Sequence, residues 1–280
     1  MNRAYTISAI VLVAVALAAT ACVTTGDSDP LARALASSAR PDADKARDKY
    51  RHPRETLEFL GLAPGQTVVE ITPGRGWYSH ILAFYLKETG GTYYAAGFDP
   101  DSEIEFMRTL AAAFDKDFVA KPEIYGEVKT TVFGSDAGVA PDGSADLVLT
   151  FRNVHNWVPR GMAERAFGDF YRALKPGGTL GVVGHRLPAS AERPEKLATG
   201  YIYESETIAL AEAAGFELVA SSDVNNNPKD TADHVYGVWT LPPVQRSAPR
   251  GEDPNPDFDQ TSYKAIGESD RFTLKFRKPL

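Results

Sequence analysis

Two periods run through this chain. From about residue 46 onward, short β-branched or continuous apolar runs alternate with stripes spaced at i, i+3, i+4 and i+7, the marks of buried strands and one-sided helices. Pro53 opens a helix carrying Leu57, Leu60 and Leu62, which Ala63-Pro64-Gly65 stops. Thr67–Ile71 (TVVEI) reads as a first buried strand. Tyr78, Ile81, Leu82 and Tyr85 then stripe a helix that Gly90-Gly91 ends. Thr92–Phe98 is a second strand, closing on Asp99-Pro100, and Ile104, Met107, Leu110, Ala111 and Phe114 stripe the next helix. Val128–Phe133 and Ala145–Phe151 are the third and fourth strands. Ala163, Ala166, Phe167, Phe170 and Leu174 mark a helix stopped by Lys175-Pro176-Gly177-Gly178, before a fifth strand over Thr179–Gly184. Ile208, Ala211 and Ala214 belong to a helix ended by Gly215, and Phe216–Ser221 is a sixth strand.

Strands alternating with helices predict parallel βαβ units with right-handed crossovers, an α/β, Rossmann-like, doubly wound sheet. The tail departs from that rule: Phe272–Phe276 (FTLKF) is a seventh strand with no long helix before it, and it pairs most simply antiparallel with Phe216–Ser221. The expectation is a seven-stranded sheet, mostly parallel, with an antiparallel last strand. Residues 223–270 form a long insertion rich in Pro, Asn and Asp, with one apolar run, Val235–Leu241. A connection of that length is either functional, as a lid is, or disordered.

The first 45 residues follow neither period. Arg3 is a short positive region, and the 13 residues Ile7–Ala19 are apolar apart from Ser8. A membrane-spanning helix needs about 20 such residues, so the stretch fits the core of an export signal, with Ala19-Thr20-Ala21 as an A-x-A cleavage pattern. Residues 1–21 are then a signal peptide. The next residue, Cys22, is the only cysteine of the 280 residues, and the stretch resembles a bacterial lipobox in which that thiol receives the lipid. Plain secretion with a chance cysteine is the alternative. More than one acyl chain on Cys22 would hold the protein stably at a membrane, at about 0.8 kcal/mol per buried methylene. Val23 after it matches outer-membrane sorting in a two-membrane bacterium, which makes the protein a periplasm-facing lipoprotein. Residues 22–45, small, polar and Ala-rich, read as the lipid-attached tether, in part helical, leaving 46–280 as the domain.

Charge and composition narrow the partners. The formal net charge is −7, and no Lys/Arg cluster marks a nucleic-acid face, so nucleic acid is excluded as a partner. One cysteine permits neither an intrachain disulfide nor a multi-cysteine metal site, and the five histidines show no HxxxH or HExxH spacing, so no metal is expected.

The chemistry falls at the carboxyl ends of the predicted strands, where doubly wound sheets bind ligands. Glu70–Gly76 follows strand one; Gly74 and Gly76 let the backbone turn tightly and approach a ligand. Asp99 ends strand two, where a carboxylate can accept from two ribose hydroxyls. Asp136 follows strand three, and Phe151–Trp157 (FRNVHNW) follows strand four. Together these stretches resemble the class I S-adenosylmethionine-dependent methyltransferases. VVEITPGRG is similar to the family's first motif, YYAAGFDP to its second and GSDAG to its third. FRNVHNW followed by ALKPGG looks most like the quinone-ring methyltransferases. The resemblance covers roughly residues 50–222 and the last strand. Two features depart from it: Thr72 stands where the family has its first turn glycine, which narrows the room for the methionine end of a cofactor, and the 223–270 insertion is not a general family feature.

The resemblance implies S-adenosylmethionine as cofactor. Glu70 would hold its amino group, Thr72, Gly74 and Gly76 would line its path, Asp99 would bind ribose and Asp136 adenine, and Arg152 and Asn153 would complete the cofactor site. The acceptor would be a small or lipophilic molecule. His155 is the candidate general base, or else a loop histidine bonded to backbone; His185, ending strand five, has the same two readings. Trp157 either stacks on a flat acceptor or packs in the core. Tyr50, Arg51 and His52 precede the first helix and would close over the cofactor. The alternative function is a non-catalytic periplasmic ligand-binding module on the same scaffold. A nicotinamide oxidoreductase would prefer Gly or Ala at Ser79 and has no need of the FTLKF hairpin.

Overall fold

The structure is a computed structural model that describes residues 29–192 and 199–280. The expected signal peptide and Cys22 lie outside the described residues. Seven strands form one sheet: β1 (Thr67–Ile71), β2 (Thr92–Gly97), β3 (Val128–Val132), β4 (Ala145–Phe151), β5 (Leu174–His185), β6 (Glu217–Ser222) and β7 (Arg271–Arg277). Their order is β3-β2-β1-β4-β5-β7-β6. The first five are parallel, and the chain reverses direction from β1 toward either side, which leaves a crevice beyond the carboxyl ends of β1 and β4. The tail strand inserts between β5 and β6 and pairs antiparallel with both. The sequence reading found its partner in β6 and not its second partner in β5. β7 is buried at nearly every position (Phe272, Thr273, Leu274, Phe276), as an interior strand must be.

Helices α1 (Pro30–Ala36), α2 (Asp42–Lys45), α3 (Asp48–Arg51) and α4 (Pro53–Leu60) precede the sheet. α5 (Ser79–Thr89), α6 (Glu105–Phe114), α7 (Pro122–Tyr125), α8 (Val154–Trp157), α9 (Ala163–Ala173), α10 (Glu204–Ala213) and α11 (Thr261–Ile266) follow in the crossovers and the tail. The sheet's two faces bury separate cores. On one, Val68, Leu147 and Leu149 meet Leu57, Leu60, Ile81, Leu82 and Leu86; on the other, Val69, Ile71 and Val148 meet Phe167, Phe170 and Ala211. Period-two alternation along β1 therefore puts Glu70 on the Val68 face, against α5.

Two expectations change, and of the two readings of the 223–270 insertion the disordered one falls. The tether predicted over 22–45 is folded from Pro30 on. Asp29 Oδ1 accepts from Leu31 N at 2.9 Å and caps α1, whose Leu31 and Ala34 are buried in the same core as Leu82 and Leu86. The helix before Lys175–Gly178 does end, at Ala173, but the fifth strand starts at Leu174 and not at Thr179, with those four residues as a bulge: β4 advances from Ala145 to Leu147 while its partner advances from Leu174 to Thr179. The 223–270 insertion is built into the fold, through a 3-10 turn at Gly237–Thr240, α11 and buried Asn225, Asp230 and Leu241. Asn225 Nδ2 donates to Thr56 Oγ1 and Thr273 Oγ1, pinning the insertion to α4 and β7.

Gly184 of β5 lies opposite Phe272 of β7, and a Cβ there would stand 2.2 Å from the Phe272 ring. The ring covers the glycine, a pairing that fixes register. Gly184→Ala is expected to lower unfolding free energy by about 1–3 kcal/mol through overpacking; a urea titration with an unchanged midpoint would refute it.

Candidate functional site

A cavity of about 410 Å³ opens beyond the carboxyl ends of β1, β4 and β5, within the range that holds a cofactor-sized ligand. Its floor is Glu70 to Arg75, its far wall Phe151 to Asn156 with His185. Its roof comes from both ends of the chain: Asp44, Arg47 and Arg51 from the N-terminal helices, and Val238, Trp239, Pro242, Glu268 and Ser269 from the insertion.

Glu70 sits at the centre of the floor. It is buried, and its Oε2 accepts from Ser79 Oγ at 2.7 Å and Tyr93 Oη at 2.6 Å. Burial raises its pKa to about 7; the two hydrogen bonds and the Arg152 charge pull the other way and do not outweigh it. Thr72, at φ 45°, lines the cavity with its Oγ1 buried and without a hydrogen-bond partner. Gly74 (φ 63°) lines the cavity and would have nothing within 4 Å of a Cβ, so its surface is open to a ligand. Gly76 answers a different need: its Cβ would stand 2.2 Å from the Phe118 ring, so this glycine serves packing, and it does not line the cavity.

A second hollow of about 110 Å³ shares Pro73 and Gly74 with the first and runs to the end of β2, between Gly97, Phe98, Pro100, Leu110 and Phe114. Asp99 and Asp136, expected to line the adenosine end, line neither space. Both are exposed at the strand tips: Asp99 Oδ1 accepts from Asp101 N at 2.9 Å, and Asp136 pairs with Arg165 of α9 at 2.9 Å. Glycine and alanine at the end of β2 leave the room that longer residues would fill; Asp99 stands between two lining residues, Phe98 and Pro100, and the acidic residue that lines the hollow is Asp115.

Asn153 braces the site: its Nδ2 donates to Ile71 O at 3.0 Å and Thr150 Oγ1 at 3.1 Å, tying the end of β1 to β4. His155 and His185 come together in the wall, ring centroids 5.4 Å apart, with Trp239 over His155 at 6.2 Å. His155 Nδ1 is buried with no partner, so it is not the backbone-bonded loop histidine of the alternative reading. Burial, then the charges of Arg152 and Arg160, lower its pKa to about 4. His185 is also held well below its ordinary value by burial first, and its Nδ1 shares a 2.6 Å hydrogen bond with Ser269 Oγ. Both rings are neutral at neutral pH. Trp157 packs against Phe133 and Phe170 in the core and does not reach the cavity.

The roof is closed by a cluster of which sequence reasoning named Arg51 alone; Tyr50 and His52, expected to close over the cofactor with it, do not line the cavity. Glu268 takes Arg47 Nε at 2.6 Å, Arg51 Nε at 2.9 Å and Arg271 Nη1 at 3.3 Å. Burial opposes the Glu268 charge, but the guanidinium groups of Arg51, Arg271, Arg152 and Arg47 outweigh it and hold its pKa at about 2. Arg51 also lies over Trp77, 4.6 Å from the ring centroid, and Trp77 Nε1 donates to Asp44 O. The N-terminal helices are thus stapled over the turn after β1. The one sequence cue was the acid-rich stretch GESDR immediately before an apolar strand.

Among the described residues, no group of three or more His, Cys, Asp or Glu could hold a metal ion, and no helix is long and apolar enough to cross a membrane.

No family model matches the chain. Among curated proteins it is 30% identical over 133 residues to a ubiquinone/menaquinone biosynthesis C-methyltransferase of Hydrogenovibrio crunogenus, covering 46% of each chain. It is 27% identical over 192 residues to an arsenite methyltransferase of Halobacterium salinarum, over 65% of this chain and 44% of that one. The chain thus spans less than half the length of these two relatives. A second ubiquinone/menaquinone biosynthesis C-methyltransferase, from Marinomonas sp., is 23% identical over 76% of this chain and 74% of its own. In fold, the geranyl diphosphate C-methyltransferase of Streptomyces coelicolor A3(2), solved with S-adenosyl-L-homocysteine, aligns with a TM-score of 0.53 at 13% identity over 85% of this chain and 83% of that one. The [4+2]-cyclase SpnF aligns with a TM-score of 0.52 at 17% identity over 91% and 95%. By its sheet and by its sequence matches, the chain is similar to the class I S-adenosylmethionine-dependent methyltransferases.

Proposed function

We propose that this protein is an S-adenosylmethionine-dependent methyltransferase acting on a small or lipophilic acceptor. The observation that carries the reading is the floor of the cavity: a buried carboxylate, Glu70, beside the orphaned Thr72 Oγ1 and the open face of Gly74, where the large cavity and the smaller hollow meet. Those residues fit the cofactor. Glu70 would accept from its ammonium group and Thr72 Oγ1 would find a partner there. The apolar hollow beyond Gly74 suits an adenosine end, with Asp99 next to its lining residues Phe98 and Pro100 for the ribose. When bound, the cofactor supplies an already activated methyl group, so the protein's work is alignment and exclusion of water. The roof of Arg51, Trp239 and Glu268 excludes water, and neutral His155 can take a proton from an acceptor that has one to lose. Export and anchoring through a lipid on Cys22, with the domain facing the periplasm, rest on the leader's sequence alone.

A second reading, a non-catalytic ligand-binding module in the periplasm, is favoured by Thr72 at positive φ and by the two strand-tip aspartates standing outside both hollows. Calorimetry with S-adenosylhomocysteine separates the two. Saturable binding is expected, weakened about tenfold or more in Asp99→Ala, as for a lost charged hydrogen bond. A folded protein that takes up no S-adenosylhomocysteine establishes the second reading.

A further inference from the structure

Among the described residues, the Arg152 side chain of the cavity makes no hydrogen bond or ion pair, and only the charge of Glu268 acts favourably on it from the roof. Arg152 follows β4 at φ 65°, a left-handed conformation that side-chain-bearing residues rarely adopt. Arg152 is one of the residues lining the cavity. Beside it, Arg51 is 2% exposed with Nη1 unpartnered. The wall itself holds no carboxylate; Glu268 lies in the roof, and Arg47, Arg51 and Arg271 already share its two oxygens. The remaining acids of the cavity, Asp44 and Glu70, lie on the roof and floor, and Arg75 adds a further cation at the exposed rim.

The cofactor does not balance this charge. S-adenosylmethionine carries one carboxylate against an ammonium and a sulfonium, so seating it adds a net positive charge to a cavity that already holds an excess. A fork of N–H donors left free in a partly desolvated wall is the geometry that takes an oxyanion bidentately. We propose that the acceptor carries an oxyanion, a carboxylate or a phosphate, which the Arg152 guanidinium seats with Arg51 Nη1. The inference rests on the methyltransferase reading and moves Arg152 from the cofactor to the acceptor. It also accounts for an arginine where the backbone favours glycine: the strain holds the guanidinium in the wall. Arg152 stays protonated at neutral pH, since burial, the largest influence on it, lowers its pKa only to about 10.

The test is calorimetry on the full-length protein saturated with S-adenosylhomocysteine, titrated with benzoate and, separately, with inorganic phosphate. Saturable binding of at least one anion is expected, weakened about tenfold or more in Arg152→Gly. Glycine relieves the positive φ, so the variant's thermal midpoint should not fall, and its affinity for S-adenosylhomocysteine should stay within about twofold of the parent. The comparison of benzoate with phosphate tells a carboxylate acceptor from a phosphorylated one. Absence of binding by both anions, or equal binding in Arg152→Gly, overturns the proposal. So does a variant that loses S-adenosylhomocysteine but not 5′-methylthioadenosine, which lacks the amino-acid end, because Arg152 would then hold the cofactor's own carboxylate. If the parent binds no S-adenosylhomocysteine, the same titrations on the free protein decide: anion binding lost in Arg152→Gly keeps the oxyanion site while the methyltransferase reading fails.

Discussion

Glu268→Gln is expected to lower the unfolding free energy by about 3–5 kcal/mol at neutral pH, read as a lower urea midpoint with an unchanged slope. Three guanidinium groups converge on this carboxylate, and two of them, Arg51 at 2% and Arg271 at 3% exposure, have no water to fall back on. An amide of the same shape keeps the packing and removes the charge, leaving buried cations uncompensated. The effect should be larger than for an ordinary ion pair because the clasp joins chain ends more than 200 residues apart: Arg47 and Glu268 are separated by 221 positions. Losing it frees the N-terminal helices from the roof.

The pH dependence gives this prediction a second check. The folded pKa of Glu268 is about 2 and its ordinary value 4.5, so the folded state holds the ionised form more strongly. Its stabilisation is fully present above pH 4.5 and is lost as pH falls through 2, an amount of about 3 kcal/mol at 1.36 kcal/mol per unit. The gap between parent and Glu268→Gln should therefore narrow steadily from pH 4.5 downward, since acid removes from the parent the charge that the substitution has already removed. A gap independent of pH would mean that the glutamine disturbs packing and not charge.

The same cluster marks the limit of what the sequence reveals. Period-two and period-3.6 patterning places the helix–strand alternation because each apolar stripe must be buried locally; β4 at Ala145–Phe151 and β1 at Thr67–Ile71 are read off their own residues. Glu70, Thr72 and Gly74 are equally legible, since a strand, a turn and a helix start in one short stretch bring them together. Partners brought together only by the fold leave no such trace. Nothing around Arg47 or Arg51 points to Glu268. The position of β7 beside β5 follows from a buried tail strand needing two neighbours, and FTLKF shows its apolar face without saying which strands flank it. Gly76 is a case of right residue, different cause: the ring that excludes a Cβ there, Phe118, lies 42 positions on, counted from the two residue numbers. Asp99 lies just past β2 and Asp136 four residues past β3, but a place after a strand does not say which way a carboxylate leans, and Asp136 pairs with Arg165 of α9.

Glu70→Gln is expected to weaken S-adenosylhomocysteine binding by about 10- to 100-fold while making the folded protein more stable at alkaline pH. Both effects come from one buried charge. Burial raises the Glu70 pKa to about 7 against an ordinary 4.5, so between those values the folded state holds a proton that the unfolded chain has released. Stability then falls as pH rises through this window, and above pH 7 the penalty is complete at about 3 kcal/mol. Glutamine carries no charge to bury, and its single oxygen can still accept from Ser79 and Tyr93. Urea titrations at pH 5 and pH 8 should thus show the two proteins alike at the lower pH and the variant ahead by up to about 3 kcal/mol at the higher. Ligand binding should run the other way. An ammonium group needs the ionised carboxylate, so the parent's affinity should rise from pH 6 to pH 8 while that of Glu70→Gln stays flat. A residue that destabilises its own fold where it binds best is held for binding. If the variant instead binds as tightly as the parent at pH 8, Glu70 is a structural acid bridging β1, β2 and α5, and the cofactor's ammonium lies elsewhere in the cavity.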